Sequence, residues 1–223
     1  MMKFPIPTYV FLGLFVVASI IQLILAFTEN QKLRRKQKFS CMLCLGIAAV
    51  FAFPSEPFIY AGVFLGMLGD ILVLRKSTFV AGSTVFFFGH ICYLLEVIIK
   101  ICGVNNFKPY MFMIFAGTYL TIFSIVYLIC NKNKSHTMID KMGQALYFAI
   151  LVTYIPVLIC AHLLVGGYIY LSLIGAGLFI VSDTILVLCH FGHKFKRYDF
   201  YIMLSYLLAE LLIISGFVLT LVK

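Results

Sequence analysis

The chain is a succession of apolar runs, each close to the roughly 20 residues that carry a helix across a bilayer. Eight can be delimited, near 7–27, 39–53, 57–74, 79–101, 109–130, 142–164, 168–190 and 199–221. Hydrocarbon offers backbone amides no outside partner, so continuous apolar runs of this length are confined to membrane helices. The second run is short, and Pro54 and Pro57 leave two readings of its end: eight spans, or seven plus a re-entrant piece. With 63% hydrophobic and 11% charged residues and a mean hydropathy of +1.09, the apolar surface exceeds what a soluble core of this size can hide. The expected fold is all-α and polytopic, one integral membrane domain over residues 1–223 with candidate halves at 1–105 and 106–223.

The first run has 21 residues and no small-residue cleavage pattern, and more spans follow, so it is expected to stay as a membrane helix rather than be removed as a signal. The longest polar stretches, TENQKLRRKQK and NKNKSHTMIDK, are loops rather than domains. In the eight-span arrangement the loops after spans one, three, five and seven carry 13 of the 17 Lys and Arg residues, and the opposite side carries 4. The positive side faces the cytosol, so both termini are expected outside it, in a bacterial inner membrane or the endoplasmic reticulum. The net charge of +9 thereby reads as topology and attraction to anionic headgroups, not as nucleic-acid binding. Of the seven cysteines, only Cys41 and Cys44 make a CxxC, which lacks the second pair that a zinc site needs. They read as small buried apolar residues.

Two acids interrupt the apolar runs: Asp70 in GVFLGMLGDILVL and Asp183 in GAGLFIVSDTILVL, 113 residues apart. A carboxylate in hydrocarbon costs at least a few kcal/mol, so such residues mark functional sites that face a protein-lined cavity. Placing Asp70 on Asp183 also places Gly69 on Ser182 and Tyr93 on Tyr206, laying span four on span eight. Each half would hold four helices and the two would share an orientation, a parallel repeat. Both acids then approach the cytosolic face at one depth and can share a cavity.

Spans four and eight bring further polar groups. The turn between spans three and four is about RKST, which predicts an antiparallel hairpin with His90 about 10 Å deeper than Asp70 at 1.5 Å per residue. Tyr93 shares a face with His90, and Tyr206 with Glu210. Gly66, Gly69, Gly82, Gly89, Gly175 and Gly177 are expected to let helices approach closely. By itself His90 reads first as an interhelical hydrogen-bonding residue, and Tyr93, Tyr147 and Tyr206 as packing aromatics. Glu96 and Lys100 read as a snorkelling pair near a helix end, and Glu56, Asp140 and Asp199 as solvated groups. For Asp70 and Asp183 a purely structural role is poorly matched, because serine or asparagine would tie helices at lower desolvation cost.

The stretches VFLGMLGDILVL with FFFGHICYLLEV, and GAGLFIVSDTILVLCHF with IMLSYLLAELLI, resemble the signature stretches of the YhhN-like lysoplasmalogenases. On this resemblance Asp70, His90, Tyr93, Ser182, Asp183 and Tyr206 fall on family motif positions. Lys38 matches a basic position before span two, and Tyr147 a tyrosine of span six. There are departures. Glu210 stands where the family usually has Gln in YxxAQ, a common proline after the lysine is replaced at or near Phe39, and His190 replaces a usual Asn. The resemblance implies a membrane enzyme that cleaves the vinyl ether of a lysoplasmalogen, giving a fatty aldehyde and glycerophosphoethanolamine or glycerophosphocholine.

The residue types suit that chemistry on their own terms. A vinyl ether resists nucleophiles but accepts a proton on its β-carbon, forming an oxocarbenium ion that water captures. Two carboxyl groups in a low-dielectric cavity supply a proton donor and an anion, as in glycosidases, and no metal or organic cofactor is required. One of Asp70 and Asp183 is expected to act as general acid and the other as anion. His90, Tyr93, Tyr147, Ser182, Tyr206 and Glu210 would position water or substrate, and Lys38 would hold the phosphate. The substrate's alkyl chain would lie between helices, reached from the bilayer. A rival from another class is a small proton-coupled transporter, which would use the same acids at a midplane site. A structural or lipid-binding subunit would leave the paired acids unexplained. Topology is testable directly: a tag in the loop RRKQK is expected to label only from the cytosolic side, and labelling from outside contradicts the assignment.

Overall fold

Proline and glycine punctuate the helices. Pro57 and Pro109 each open a helix at its first position, where the missing N–H costs nothing. Gly166 and Gly167 turn the chain sharply between two others with φ of 63° and 64°. The structure, a computed structural model, describes residues 4–52, 55–73, 78–103, 106, 108–130, 138–190 and 193–221. Among these lie the α-helices α1 (Ile6–Phe27), α2 (Gln31–Ala52), α3 (Pro57–Leu72), α4 (Phe79–Leu95), α5 (Pro109–Cys130), α6 (Met138–Val165), α7 (Ile169–His190) and α8 (Tyr198–Leu221), with no strand. A π-helical stretch, Glu96–Cys102, prolongs α4 to Gly103. Among the described residues, five helices have segments long and apolar enough to cross a membrane: Ile6–Phe27, Phe79–Ile99, Tyr147–Val165, Ile169–His190 and Tyr198–Thr220. Shorter apolar stretches lie in α3 and α5.

α2 differs most from the sequence expectation. It begins at Gln31 rather than near residue 39, because Lys, Arg and Gln are good helix formers and the helix simply continues through the basic segment. Hydropathy marks where a helix is apolar, not where it starts.

Neighbouring helices in the chain pack as hairpins, α1 on α2, α3 on α4, α5 on α6 and α7 on α8. The contacts α2–α3, α4–α6, α6–α7 and α8–α1 close seven helices into a ring, and α5 sits outside it against α6 and α7. Buried tyrosines, phenylalanines and aliphatic residues fill the ring, together with Lys38, Asp70, His90, Ser182, Asp183 and Glu210. The outward faces stay apolar, as Val10, Leu14, Val17, Ile21 and Ile24 of α1 show. This inverts the soluble pattern and suits a lipid environment.

Glycines decide which side chains reach the interior. A Cβ on Gly62 would stand 2.3 Å from Cε1 of Tyr93, one on Gly69 would stand 2.9 Å from the Phe86 ring, and one on Gly66 would stand 3.8 Å from Oε1 of Glu210. Positions 62, 66 and 69 lie on one face of α3; the missing side chains of Gly62 and Gly69 are the space that Tyr93 and Phe86 occupy, while Glu210 lies at ordinary contact distance over Gly66. Gly89 and Gly175 likewise meet backbone, the carbonyls of Gly62 and Ala209. Gly177 has nothing within 4 Å, so its expected packing role does not hold. Gly62→Ala is expected to expel the Tyr93 ring and cost about 1–3 kcal/mol, read as a lowered midpoint of thermal unfolding in detergent. Gly13→Ala, with open space around it, should show no such loss.

Candidate active site

The interior polar groups converge between α2, α3, α6, α7 and α8. Lys38, eight residues into α2, sends its ammonium to Oδ1 of Asp70 at 2.7 Å. Asp70 lies two residues before the end of α3, so the start of α2 and the end of α3 share one face of the bundle. The Tyr206 hydroxyl of α8 donates to the other oxygen, Oδ2, at 2.8 Å. The Lys38 ammonium also sits 5.3 Å from the centroid of the Tyr206 ring. Three helices are therefore tied through one carboxylate. A buried ion pair of this kind contributes little net stability, but removing one partner strands a charge at about 3–5 kcal/mol.

Asp183 lies on α7 and accepts a hydrogen bond from the Tyr147 hydroxyl of α6. It interacts electrostatically with both Lys38 and Asp70, so the two aspartates share one neighbourhood. Glu210, one turn beyond Tyr206, is the third carboxylate of this cluster. It accepts from the Tyr93 hydroxyl of α4 at 3.3 Å and interacts with both Asp70 and Asp183. All three acids are buried.

His90 is buried on α4 in an aromatic box. Its ring stands edge-on to Phe179 at 4.6 Å and to Tyr154 at 5.3 Å, with Tyr147 tilted at 6.3 Å. Neither ring nitrogen has a hydrogen-bond partner among the described residues. Tyr154 instead donates to the His90 backbone carbonyl at 3.2 Å. Phe179 also stands edge-on to Tyr206 at 5.5 Å, so one ring from α7 separates the histidine from the Asp70 group. Ser182 donates to the Ile202 carbonyl at 3.1 Å and ties α7 to α8.

The structure thus links Lys38, Asp70 and Tyr206 directly, sets Asp183 with Tyr147 and Glu210 with Tyr93 around them, and places His90 behind Phe179. Lys38, read from sequence as a phosphate holder at the mouth, is itself buried and bonded to Asp70.

Asp199, expected to be solvated, and Glu96, expected to snorkel beside Lys100, are both buried. Asp199 is buried and pairs with Arg34 at 2.9 Å, because the extended start of α2 lies against the first turn of α8. Glu96 is buried within the π-helical stretch rather than snorkelling. Glu56 is half-buried and accepts from Ser55 at 3.2 Å. The side chains of Lys100 and Asp140 lie outside the described residues. Cys41 is buried and Cys44 half-buried, both as free thiols.

Sequence reading missed Tyr154, Phe179 and Gly62. The spacing of Gly62, Gly66 and Gly69 was a visible signal for the last. The two aromatics are indistinguishable by type from the many others in the chain.

Among curated proteins and solved structures, nothing matches the chain. The model of the YhhN family matches residues 33–217, which takes in nearly all of α2 through most of α8 and every residue of the candidate site. On that match, and with the motif residues assembled in one interior, the chain belongs to the YhhN family.

Proposed function

We propose that the protein is a membrane hydrolase that cleaves the vinyl ether bond of lysoplasmalogens. Its products are a fatty aldehyde and glycerophosphoethanolamine or glycerophosphocholine. The reading includes eight membrane-crossing helices, two parallel four-helix halves, both termini outside the cytosol and the site nearer the cytosolic face. The observation that carries it is the pair of buried aspartates in different settings, Asp70 bonded to an ammonium and Asp183 to a phenol.

That difference supports a division of labour. Asp70, held by Lys38 and Tyr206, is the anion. Asp183 is the general acid and passes its proton to the β-carbon of the vinyl ether, leaving an oxocarbenium ion between the two carboxylates. Asp70 stabilises this cation and orients a water molecule, which adds to the ether-bearing carbon and gives a proton to the Asp183 carboxylate, restoring the acid. The hemiacetal then collapses: Asp183 protonates the ether oxygen, the C–O bond to the glycerol oxygen breaks as the hemiacetal hydroxyl gives its proton back to Asp183, and the aldehyde and the glycerol alcohol leave. Asp70, Asp183 and Glu210 interact with one another in a cluster that holds one described ammonium, Lys38, and a low-dielectric medium disfavours two uncompensated charges, which supports retention of protons within the cluster. Tyr147 positions the acid, and the Tyr93–Glu210 pair closes the deeper side. His90, in its aromatic box, orders water or the glycerol backbone.

Aldehyde release from lysoplasmalogen by the purified protein tests this reading. Asp183→Asn is expected to lower turnover by about 10²–10⁴-fold, the usual range for a lost general acid, with little change in unfolding temperature. Asp70→Asn is expected to lose turnover and stability together, since Lys38 is left buried without its counter-charge. Wild-type turnover in both variants contradicts the mechanism. Glu210→Gln installs the residue usual in the family, which can still accept from Tyr93, and is expected to keep activity. Its inactivation would make Glu210 a catalytic group.

A further inference from the structure

Gln22 is the one amide or charged side chain within α1, and it faces inward. It is 0% exposed, on the buried stripe with Ala18 and Ala26. Neither its amide oxygen nor its amide nitrogen has a hydrogen-bond partner among the described residues. An amide buried without partners is costly, and leucine or methionine would fill the same space without that cost.

Two independent contacts fix its level. Ser19 of α1 meets the Cys41 thiol of α2. The two helices are antiparallel, so three residues onward along α1 and three back along α2 bring Gln22 level with Lys38, about 4.5 Å from the Ser19–Cys41 layer. On the other side, Phe27 stands edge-on to Phe200 of α8 at 5.6 Å. Five residues back along α1 is Gln22, and five onward along α8 is Ser205, the neighbour of Tyr206. The Ser205 hydroxyl is engaged with carbonyls of its own helix. Gln22 therefore lies in the layer of the Lys38–Asp70–Tyr206 group, on the α1 side. It precedes the residues that match the family.

An unpaired amide offers one acceptor and one donor group. A phosphate only accepts and an ammonium only donates, whereas a hydroxyl does both. In a lysoplasmalogen the free hydroxyl is on the glycerol carbon next to the scissile ether, so the group that reads it has to sit beside the acids. We propose that Gln22 binds this glycerol hydroxyl and makes the site selective for lyso lipids, an inference that rests on the hydrolase reading above. An acyl chain at that carbon removes the hydroxyl proton and drives ester bulk against a buried amide, and sites built to bond a substrate hydroxyl reject analogues that lack it.

The test uses the full-length protein in detergent with two non-cleavable ligands: a saturated 1-O-alkyl lysophospholipid and its 2-deoxy analogue, which lacks the hydroxyl. Wild type is expected to bind the hydroxyl-bearing ligand at least about tenfold more tightly, as read by ligand-induced thermal shift. Gln22→Met is expected to unfold at the same or a higher temperature without ligand and to bind the two ligands equally. Gln22→Leu serves as a second apolar variant if the first does not accumulate. A variant that keeps the full preference, or a wild type that has none, overturns the proposal. These ligands report binding without cleavage. A wild type that shows the preference but releases no aldehyde from the alkenyl substrate would contradict the hydrolase reading while upholding the Gln22 contact.

Discussion

The bond between Lys38 and Asp70 is the constraint on which the rest of the interior depends. Neither charge is tolerable alone in a membrane-embedded core, and together they are tolerable only at short range with their other valences satisfied. The 2.7 Å contact fixes the start of α2 against the end of α3, and the Tyr206 bond fixes α8 to both. Asp183 and Glu210 then occupy the space around a pair whose position is already set. The arrangement is held by partners rather than by the apolar packing around it, which is the property a site of preorganised charge requires.

Glycine makes that placement possible. Gly62 and Gly69 strip one face of α3 to backbone, and the Tyr93 and Phe86 rings fill the strip, with the Glu210 carboxylate at ordinary contact distance over Gly66 between them. A helix that carries the anion at one end thus serves along its length as the wall for groups from α4 and α8. The outer ion pair, Arg34 with Asp199, repeats the link between α2 and α8 nearer the surface, one turn of α2 before Lys38.

Much of this was legible in the sequence, for physical reasons. Long apolar runs admit only helices in a membrane, so the all-helical, membrane-embedded class could be read. Asp70 and Asp183 stood out because hydrocarbon penalises charge so heavily that their presence needs a cause. Pairings were another matter. Nothing local to Lys38 says that it bonds to Asp70 rather than reaching outward, and nothing local to Asp199 says that Arg34, far away in sequence, lies opposite it. Both depend on α2 continuing as a helix through a basic segment that hydropathy reads as a loop. The orphaned amide of Gln22 could be seen as a polar residue in an apolar run, but its lack of partners and its level in the bundle are properties of the packed helices alone.

The claim at the centre of this account is that catalysis begins by protonating carbon. Cleavage of lysoplasmalogen by the purified protein in D₂O tests it most directly, with the released fatty aldehyde analysed by mass spectrometry. Proton delivery to the β-carbon predicts one deuterium on the carbon next to the aldehyde group. Aldehyde formed without that deuterium, or no aldehyde at all, would contradict the account.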